Sequence, residues 1–367
     1  MSETTLPPAV ARPAVLDSAH LGDIQGALGT ICHHDHAPRD GWKARLATLL
    51  AILGPGLIVM VGDNDAGAIS TYTQAGQNYG TALLWTLLLL VPVLYVNQEM
   101  VLRLGAVTGV GHGRLILARF GRFWGAFSVI DLFLLNGLTL VTEFIGINLA
   151  LGYLGIPRPG GIAIAAGIII AAASTGSFRR FERFSLALCF FSLLLVPVFL
   201  LVHPPLHALA RGLFAPRLPG GHGGLGEVML LIIAIVGTTV APWQLFFQQS
   251  YVIDKRITPQ FMAYEKADLW LGIGLVVLGA VAMMGITATA FAGTPGFGHF
   301  TDAGAVARGL EAASGRAAGV MFALALLDAS IIGASAVSLA TAYAIGDVFT
   351  LRHSLHRKAT EARGFYA

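Results

Sequence analysis

The sequence predicts an all-α membrane protein of about eight transmembrane helices, of which the first and the sixth are broken. Of its 367 residues, 55% are hydrophobic and only 12% are charged, whereas a soluble domain carries about a quarter charged residues. Several apolar stretches reach the ~20 residues that a helix needs to cross the hydrocarbon core of a bilayer. The 45 glycines suit close helix packing in lipid.

The apolar stretches separate a membrane domain from two polar ends. We expect a flexible cytosolic tail over residues 1–42, a transmembrane domain over 43–346 and a polar cytosolic tail over 347–367. The first forty residues lack the apolar core of a cleavable signal peptide, so the first span is expected to act as the insertion signal. The predicted spans, numbered 1 to 8 in chain order, cover residues 44–76, 81–102, 123–152, 161–175, 185–202, 227–251, 267–292 and 317–346.

The distribution of Lys and Arg predicts the orientation. If the N-terminus is cytosolic, 18 of these residues lie in cytosolic segments and five on the opposite side. Cytosolic loops carry the excess of Lys and Arg. We therefore expect an even number of spans with both termini in the cytoplasm, in a plasma membrane of bacterial type.

Two spans contain helix-breaking sequences. Span 1 carries Gly54-Pro55-Gly56 and then Asp63-Asn64-Asp65-Ala66-Gly67, and span 6 carries the run Gly237 to Pro242. Because these spans are five positions apart, they take corresponding places in two units of opposite topology, a pattern that indicates a midplane site in a transporter. Repeat one covers about residues 44–202. Repeat two, at about 227–346, is incomplete because it supplies three of five helices.

The residues at the breaks favour a cation site. A charged group in mid-bilayer costs several kcal/mol, so Asp65 in an apolar span indicates function. We expect the helix to unwind at Gly67 and to free main-chain carbonyls there. Pro242 lacks an N–H, which frees carbonyls near Thr238 and Thr239. One carboxylate, several carbonyls and water together suit a small hard cation.

A simpler interpretation remains open for both acids of span 1. Asp63 or Asp65 is then merely located at a helix end that is exposed to water. The apolar residues on both sides of Asp65 argue against this interpretation for Asp65. For Asp63 the two interpretations are balanced.

Three segments resemble the Nramp family of divalent-metal transporters. Span 1 is similar to the family's first helix with its Asp-Pro-Gly-Asn motif, span 6 to its sixth helix ending in Met-Pro-His, and span 3 to its Ala-Glu-Val-Ile-Gly. This resemblance covers about residues 44–346 and implies the LeuT-type inverted-repeat fold. The residues that carry it are Gly54-Pro55-Gly56, Asp65-Ala66-Gly67-Ala68, Thr71, Gln74-Ala75-Gly76, Thr142-Glu143-Phe144-Ile145-Gly146 and Gly237-Thr238-Thr239-Val240-Ala241-Pro242-Trp243.

The resemblance also implies a ligand set. Asp65 matches the family's metal carboxylate, and Thr238 matches a ligand that binds through its main-chain carbonyl. Ala68 stands in place of the amide ligand, and Ala241 in place of the methionine thioether. Because thioethers favour softer metals whereas oxygen and water suit Mg²⁺ and Mn²⁺, the pattern looks like the Nramp-related magnesium and manganese transporters.

The proton route of the family is largely missing. Trp243 replaces the family histidine, and Leu140 stands where the third helix would carry an aspartate. Only Glu143 remains, so we do not expect proton coupling to be retained.

Other polar residues within the spans have competing interpretations. Glu143 favours a functional role and Asp131 a structural one, while Glu99 is expected to pair with Arg103 four residues later. For Asp328 a place on the ion path and a structural place are equally open. Gln244 and Gln248 share a helix face, where a helix–helix hydrogen bond competes with ion contact.

The remaining motifs indicate no other activity. Cys32-His33-His34-Asp35-His36 contains metal-ligand types, but its spacing matches no zinc site. No His-Glu-x-x-His pair supports an intramembrane enzyme. We expect no enzyme activity, no prosthetic group and no nucleic-acid partner, and the sequence carries no signal for oligomeric state.

The leading hypothesis is a secondary transporter that moves Mg²⁺ or Mn²⁺ across a lipid bilayer. Two alternatives remain. One is an amino-acid or sodium-coupled symporter of the same fold, and the other is a shortened, transport-inactive family member. The two helices of repeat two that the chain does not supply keep the second alternative open, since the tenth helix contributes to the site in the family.

Overall fold

The computed structural model describes residues 18–33, 35, 37–219 and 224–367. These residues are mostly helical, with one antiparallel pair of two-residue strands, β1 (Ile24–Gln25) and β2 (Thr30–Ile31). Short 3₁₀ helices cover Ser18–His20, Ser192–Leu194 and Pro259–Phe261. The α-helices are α1 (Trp42–Ile52), α2 (Pro55–Gly62), α3 (Ala66–Tyr79), α4 (Trp85–Thr108), α5 (His112–Phe120), α6 (Arg122–Leu154), α7 (Arg158–Ala173), α8 (Phe178–Phe191), α9 (Leu195–Val202), α10 (Leu206–Phe214), α11 (Leu225–Thr239), α12 (Pro242–Asp254), α13 (Met262–Ala290), α14 (Ala303–Ser314), α15 (Arg316–Phe349) and α16 (Arg363–Tyr366).

Each of the eight predicted spans coincides with helical structure. Among the described residues, six helical segments are long and apolar enough to cross a membrane, and a seventh results if α1 and α2, bent by 52°, count as one span. Span 4 is α7, whose 16 residues are short of the ~20 needed for the hydrocarbon core. Amphipathic α5, α10 and α14 connect the spans and were not predicted.

Span 1 consists of α1, α2 and α3, with two interruptions. The first lies at Gly54, whose φ of 153° is inaccessible to most residues. The second covers residues 63–65, and Asp65 caps α3 by accepting a hydrogen bond from the N–H of Ala68. The prediction of unwinding at Gly67 is therefore wrong. Gly67 lies in the first turn of α3, and its carbonyl accepts the hydroxyl of Thr71 at 2.9 Å.

Span 6 is interrupted where the sequence predicts. α11 ends at Thr239 and α12 begins at Pro242, leaving Val240 and Ala241 outside both helices, with Ala241 in an extended conformation. Proline suits the first turn of a helix because no N–H is needed there. Since residue 242 has no N–H, the carbonyl of Thr238 has no helical donor four residues ahead.

The centre of the molecule is α15, the most deeply buried of the spans. It packs against α6, α12 and α14 and contacts α2 and α3 at the interruption of span 1. Its sequence is rich in Ala, Gly and Ser, and small residues let helix backbones approach closely in lipid. One continuous helix therefore contacts both halves of broken span 1.

The N-terminal segment, residues 18–33, is folded against the helices. The backbone N–H of Ala27 donates to Glu182, and Arg183 donates to the carbonyl of Ala27. The Arg256 guanidinium donates to the carbonyls of Ala19 and Asp23. The prediction of a flexible tail is thus wrong for this segment, because distant residues supply its hydrogen bonds. Residues 1–17, and His34 and His36 of the predicted polar cluster, lie outside the described residues.

The C-terminal residues fold back onto the end of α12. The carboxylate of Asp254 accepts hydrogen bonds from the Ser354 hydroxyl, the N–H of Leu355 at 2.8 Å and the Tyr343 hydroxyl at 2.7 Å. Leu355 and Phe365 are buried. The polar segment after span 8 is therefore part of the packed body of the protein.

A fully buried ion pair joins three spans near the N-terminal segment. The Lys255 ammonium lies 2.7 Å from a carboxylate oxygen of Glu182 and donates to the carbonyls of Ile52 and Leu53 at the end of α1. Neither side chain is exposed to solvent. All three ammonium donors have acceptors, which is the condition under which a buried charge is tolerated.

Replacing Lys255 with Met is expected to destabilise the protein, because Glu182 then remains buried without its counter-charge. Loss of one partner of a buried pair typically costs about 3–5 kcal/mol. The double variant Lys255→Met/Glu182→Gln removes both charges and keeps an acceptor for the N–H of Ala27. We expect its Tm in detergent to lie above that of Lys255→Met. Equal Tm values for the single variant and the wild type would contradict this account.

Candidate functional site

The interruptions of spans 1 and 6 meet around Asp65. This side chain is 6% exposed. A Cβ atom built on Gly67 would lie 3.2 Å from Oδ1 of Asp65 and 4.0 Å from the hydroxyl oxygen of Thr238. Gly67, Asp65 and Thr238 thus share one small region.

Glu143 of α6 is adjacent to Asp65. One of its carboxyl oxygens accepts the N–H of Ala66 at 3.2 Å, and the other is buried without a hydrogen-bond partner. On α15, a Cβ atom built on Gly333 would lie 2.9 Å from Cβ of Asp65 and 2.9 Å from Cδ of Glu143. Only glycine leaves room for both acids there.

Asp63 is fully buried beside the same interruption. The Gln244 amide nitrogen donates to one carboxyl oxygen of Asp63, and the other oxygen has no partner. The interpretation that Asp63 lies at a helix end exposed to water is therefore wrong, because α12 and α13 cover this segment. Asp63 and Asp65 remain two buried acids on one short loop.

Gln244 connects the two interruptions. Its amide nitrogen also lies 3.3 Å from the carbonyl of Thr239, and its amide oxygen accepts from Gln98 at 2.9 Å. Of the two interpretations for Gln244, the structure shows the helix–helix hydrogen bond. Gln248, one turn later, is equally buried but makes no hydrogen bond with either amide atom.

Three residues of this region were not singled out from the sequence. They are Tyr72, whose hydroxyl lies 2.6 Å from that of Thr239, together with Gln98 and Gly333. Tyr72 follows Asp65 by seven residues, so helical periodicity would have put the two on one face of α3. Gly333 and Gln98 carry no local signal, because only the tertiary packing brings them to the site.

The other predicted site residues occupy varied positions. Ala68 is fully buried beneath Asp65, and Ala241 is half-buried at the interruption of span 6. Trp243 is buried, and its ring lies 3.7 Å from a Cβ atom built on Gly62. Asp328 is not brought to Asp65; it accepts a hydrogen bond from Ser192 of span 5 at 3.2 Å.

Two further acids of the spans lie outside the site. Asp131 is exposed on α6. Glu99 pairs with Arg103, as the sequence predicts, and its carboxylate also lies 2.9 Å from the Lys266 ammonium. The charge of Glu99 is therefore balanced by two basic side chains.

The arrangement concentrates negative charge without a cationic side chain. Within the described part of the chain, no Lys, Arg or His forms an ion pair with Asp63, Asp65 or Glu143. The described part of the chain also contains no cluster of three or more His, Cys, Asp or Glu side chains placed to hold a metal. A cation here would need main-chain carbonyls, a threonine hydroxyl and water in addition to a carboxylate, which are ligands for hard cations.

Comparison with known proteins identifies relatives. Residues 56–367 match the family model described as natural resistance-associated macrophage protein-like (Nramp). The chain is 29% identical over 315 residues to the divalent metal cation transporter MntH of Burkholderia ambifaria, covering 80% of this chain and 68% of that protein. It is 32% identical over 317 residues to MntH of Ralstonia nicotianae, covering 78% and 66%. It thus spans about two thirds of the length of these relatives.

Solved structures share the architecture. The Eremococcus coleocola manganese transporter matches with a TM-score of 0.68 and 21% identity, covering 92% of this chain and 71% of that one. MHP1, a nucleobase-cation-symport-1 family transporter, matches with a TM-score of 0.50 and 16% identity, covering 83% and 68%. These similarities confirm the LeuT-type inverted-repeat fold.

Gln244 and Gln248 provide a matched test of the polar contacts between the interruptions. Gln244→Leu leaves Asp63 and Gln98 without their shared partner, so we expect a loss of about 1–3 kcal/mol in the free energy of unfolding. Gln248→Leu removes an amide that has no hydrogen bond, so we expect no loss. Denaturant titration of both purified variants measures the difference. Equal destabilisation of the two would contradict the contacts of Gln244.

Proposed function

Because the chain belongs to the Nramp family, we propose that it moves divalent metal cations across the membrane by secondary transport, with Asp65 as the anchoring ligand. One observation carries this proposal: Asp65 and Glu143 are buried together at an interruption of span 1 with no cationic partner among the described residues. Buried carboxylates require protons or counter-ions. A single divalent cation would neutralise the carboxylates of both Asp65 and Glu143.

The proposed coordination uses oxygen atoms. Asp65 supplies its carboxylate, and Thr238 supplies the carbonyl that Pro242 leaves without a helical donor. Glu143 contributes a second negative charge nearby. The carbonyl of Gly67 already accepts the Thr71 hydroxyl, so it is the weaker ligand candidate. Water completes the shell, as is usual for Mg²⁺.

Mg²⁺ or Mn²⁺ is the proposed substrate. The alanine side chains of Ala68 and Ala241 contain neither an amide nor a thioether, and this leaves space for a partly hydrated ion. Sites with oxygen and water ligands suit these cations, whereas sulfur ligands select softer metals. The named relatives are described as divalent metal cation transporters and the structural neighbour as a manganese transporter.

Transport is proposed to proceed without proton coupling, with both termini in the cytoplasm of a bacterial-type cell. Trp243 and Leu140 cannot carry a proton, and of the acids near the site only Glu143 matches a family proton group. A competing amino-acid symporter function would require the site to bind a carboxylate, which Asp65 and Glu143 repel. Liposome uptake with and without a pH gradient, and with excess amino acid as competitor, separates these functions.

Asp65→Asn tests the anchoring ligand. Asparagine is as good an N-cap as aspartate, so α3 should keep its start while the negative charge is lost. We expect Mn²⁺ and Mg²⁺ uptake to fall to background with little change in Tm. The control is Asp131→Asn, an exposed acid of span 3, which should transport normally. Unchanged uptake by a folded Asp65→Asn protein would refute the proposed site.

Ala241→Met tests the selectivity proposal. A thioether at the interruption of span 6 adds a soft ligand, so we expect stronger competition by Cd²⁺ and weaker binding of Mg²⁺. The control is Ala234→Met, which places the same group at an exposed position of α11. Titration of both variants with each metal gives the ratio of Kd values. An identical ratio in the two variants would contradict a site beside Ala241.

A further inference from the structure

A lateral cavity of about 560 Å³ lies beside the interruption of span 1, and neither Asp65 nor Glu143 lines it. It is bounded by α2 and α3, by the junction of α8 and α9, by α10, and by α13 and α15. Protein interiors have few voids larger than a water molecule. A cavity of only ~150 Å³ with apolar walls is large enough to bind benzene, so a volume several times larger calls for an occupant.

The outer end of the cavity faces the bilayer. Leu206, Phe214 and Leu278 line it and are 70%, 77% and 65% exposed, respectively. Leu278 lies within a membrane-spanning helix, where an exposed apolar side chain contacts acyl chains rather than water. The cavity is therefore accessible sideways from the hydrocarbon region.

The walls offer little to water. The polar groups are Asn64, Ser192 and the thiol of Cys189, and the rest of the described lining is apolar. Asn64 donates to the carbonyl of Val276 at 3.2 Å, and the Ser192 hydroxyl has acceptors in Leu188 and Asp328. A trapped water needs two to four polar partners. Of the lining groups, the buried amide oxygen of Asn64 is an acceptor that has no hydrogen-bond donor. A hydrocarbon chain matches this surface better than a column of water.

We propose that an acyl chain of a membrane phospholipid occupies the lateral cavity. It enters between Leu206 and Leu278 and reaches inward to Asn64. Val61 of α2 and Ile69 of α3 both line the cavity, so the chain packs on both sides of the interruption that carries Asp63 and Asp65. Lipid thereby completes the packing around broken span 1.

Photo-crosslinking tests the occupant. The protein is placed in nanodiscs containing phosphatidylethanolamine with a diazirine at the end of one acyl chain, irradiated, digested and analysed by mass spectrometry. We expect adducts to be enriched on Asn64 and on the peptide from Cys189 to Phe199, relative to lipid-facing α7. Equal yields on these peptides and on α7 would overturn the proposal. So would labelling of the cavity by a free diazirine fatty acid but not by the phospholipid.

Two variants fill the cavity and one serves as a control. Ala282→Phe occupies the interior, and Ala210→Phe narrows the mouth at an exposed position where a larger side chain leaves the core intact. Ala163→Phe adds the same ring to the exposed face of α7. We expect adducts at Asn64 to fall to the α7 level in both cavity variants and to persist in the control. Persistent adducts at Asn64 in folded Ala210→Phe would overturn the proposal.

Discussion

The burial of Asp63, Asp65 and Glu143 beside one interruption of span 1 is the constraint on which the remaining structure depends. Each acid is nearly or fully inaccessible to solvent, and none has a cationic side-chain partner among the described residues. Such a group is costly in the bilayer unless a proton or a cation compensates it. The interruption of span 1, the glycine at position 333 and the amide of Gln244 all serve to hold these acids in place.

Three acids elsewhere in the molecule have partners within the chain. Glu182 is neutralised by Lys255, Glu99 lies between Arg103 and Lys266, and Asp254 accepts several hydrogen bonds from the C-terminal residues. These three acids are therefore balanced or hydrogen-bonded by the chain itself. The three acids at the interruption of span 1 have no cationic partner among the described residues.

Local sequence signals predicted the spans, the two interruptions and the region around Asp65. Pro242 fixes the interruption of span 6 through its missing N–H, a property of one residue. In span 1 the interruption lies before Gly67, because the cap formed by Asp65 outweighs the flexibility of glycine. Gly333 and Gln98 were not predictable, since their roles come from helices that are distant in sequence. The same holds for Asp328, which pairs with Ser192 on another span.

The N-terminal segment has a consequence for biosynthesis. Ala19 is made early, but its partner Arg256 follows 237 residues later. At ribosomal speeds of 5–20 residues per second, the wait is on the order of 10–50 s. During this time the hydrogen bonds from Arg256 to the carbonyls of Ala19 and Asp23 cannot form. The N-terminal segment therefore completes its hydrogen bonds only after the end of span 6 has been synthesised.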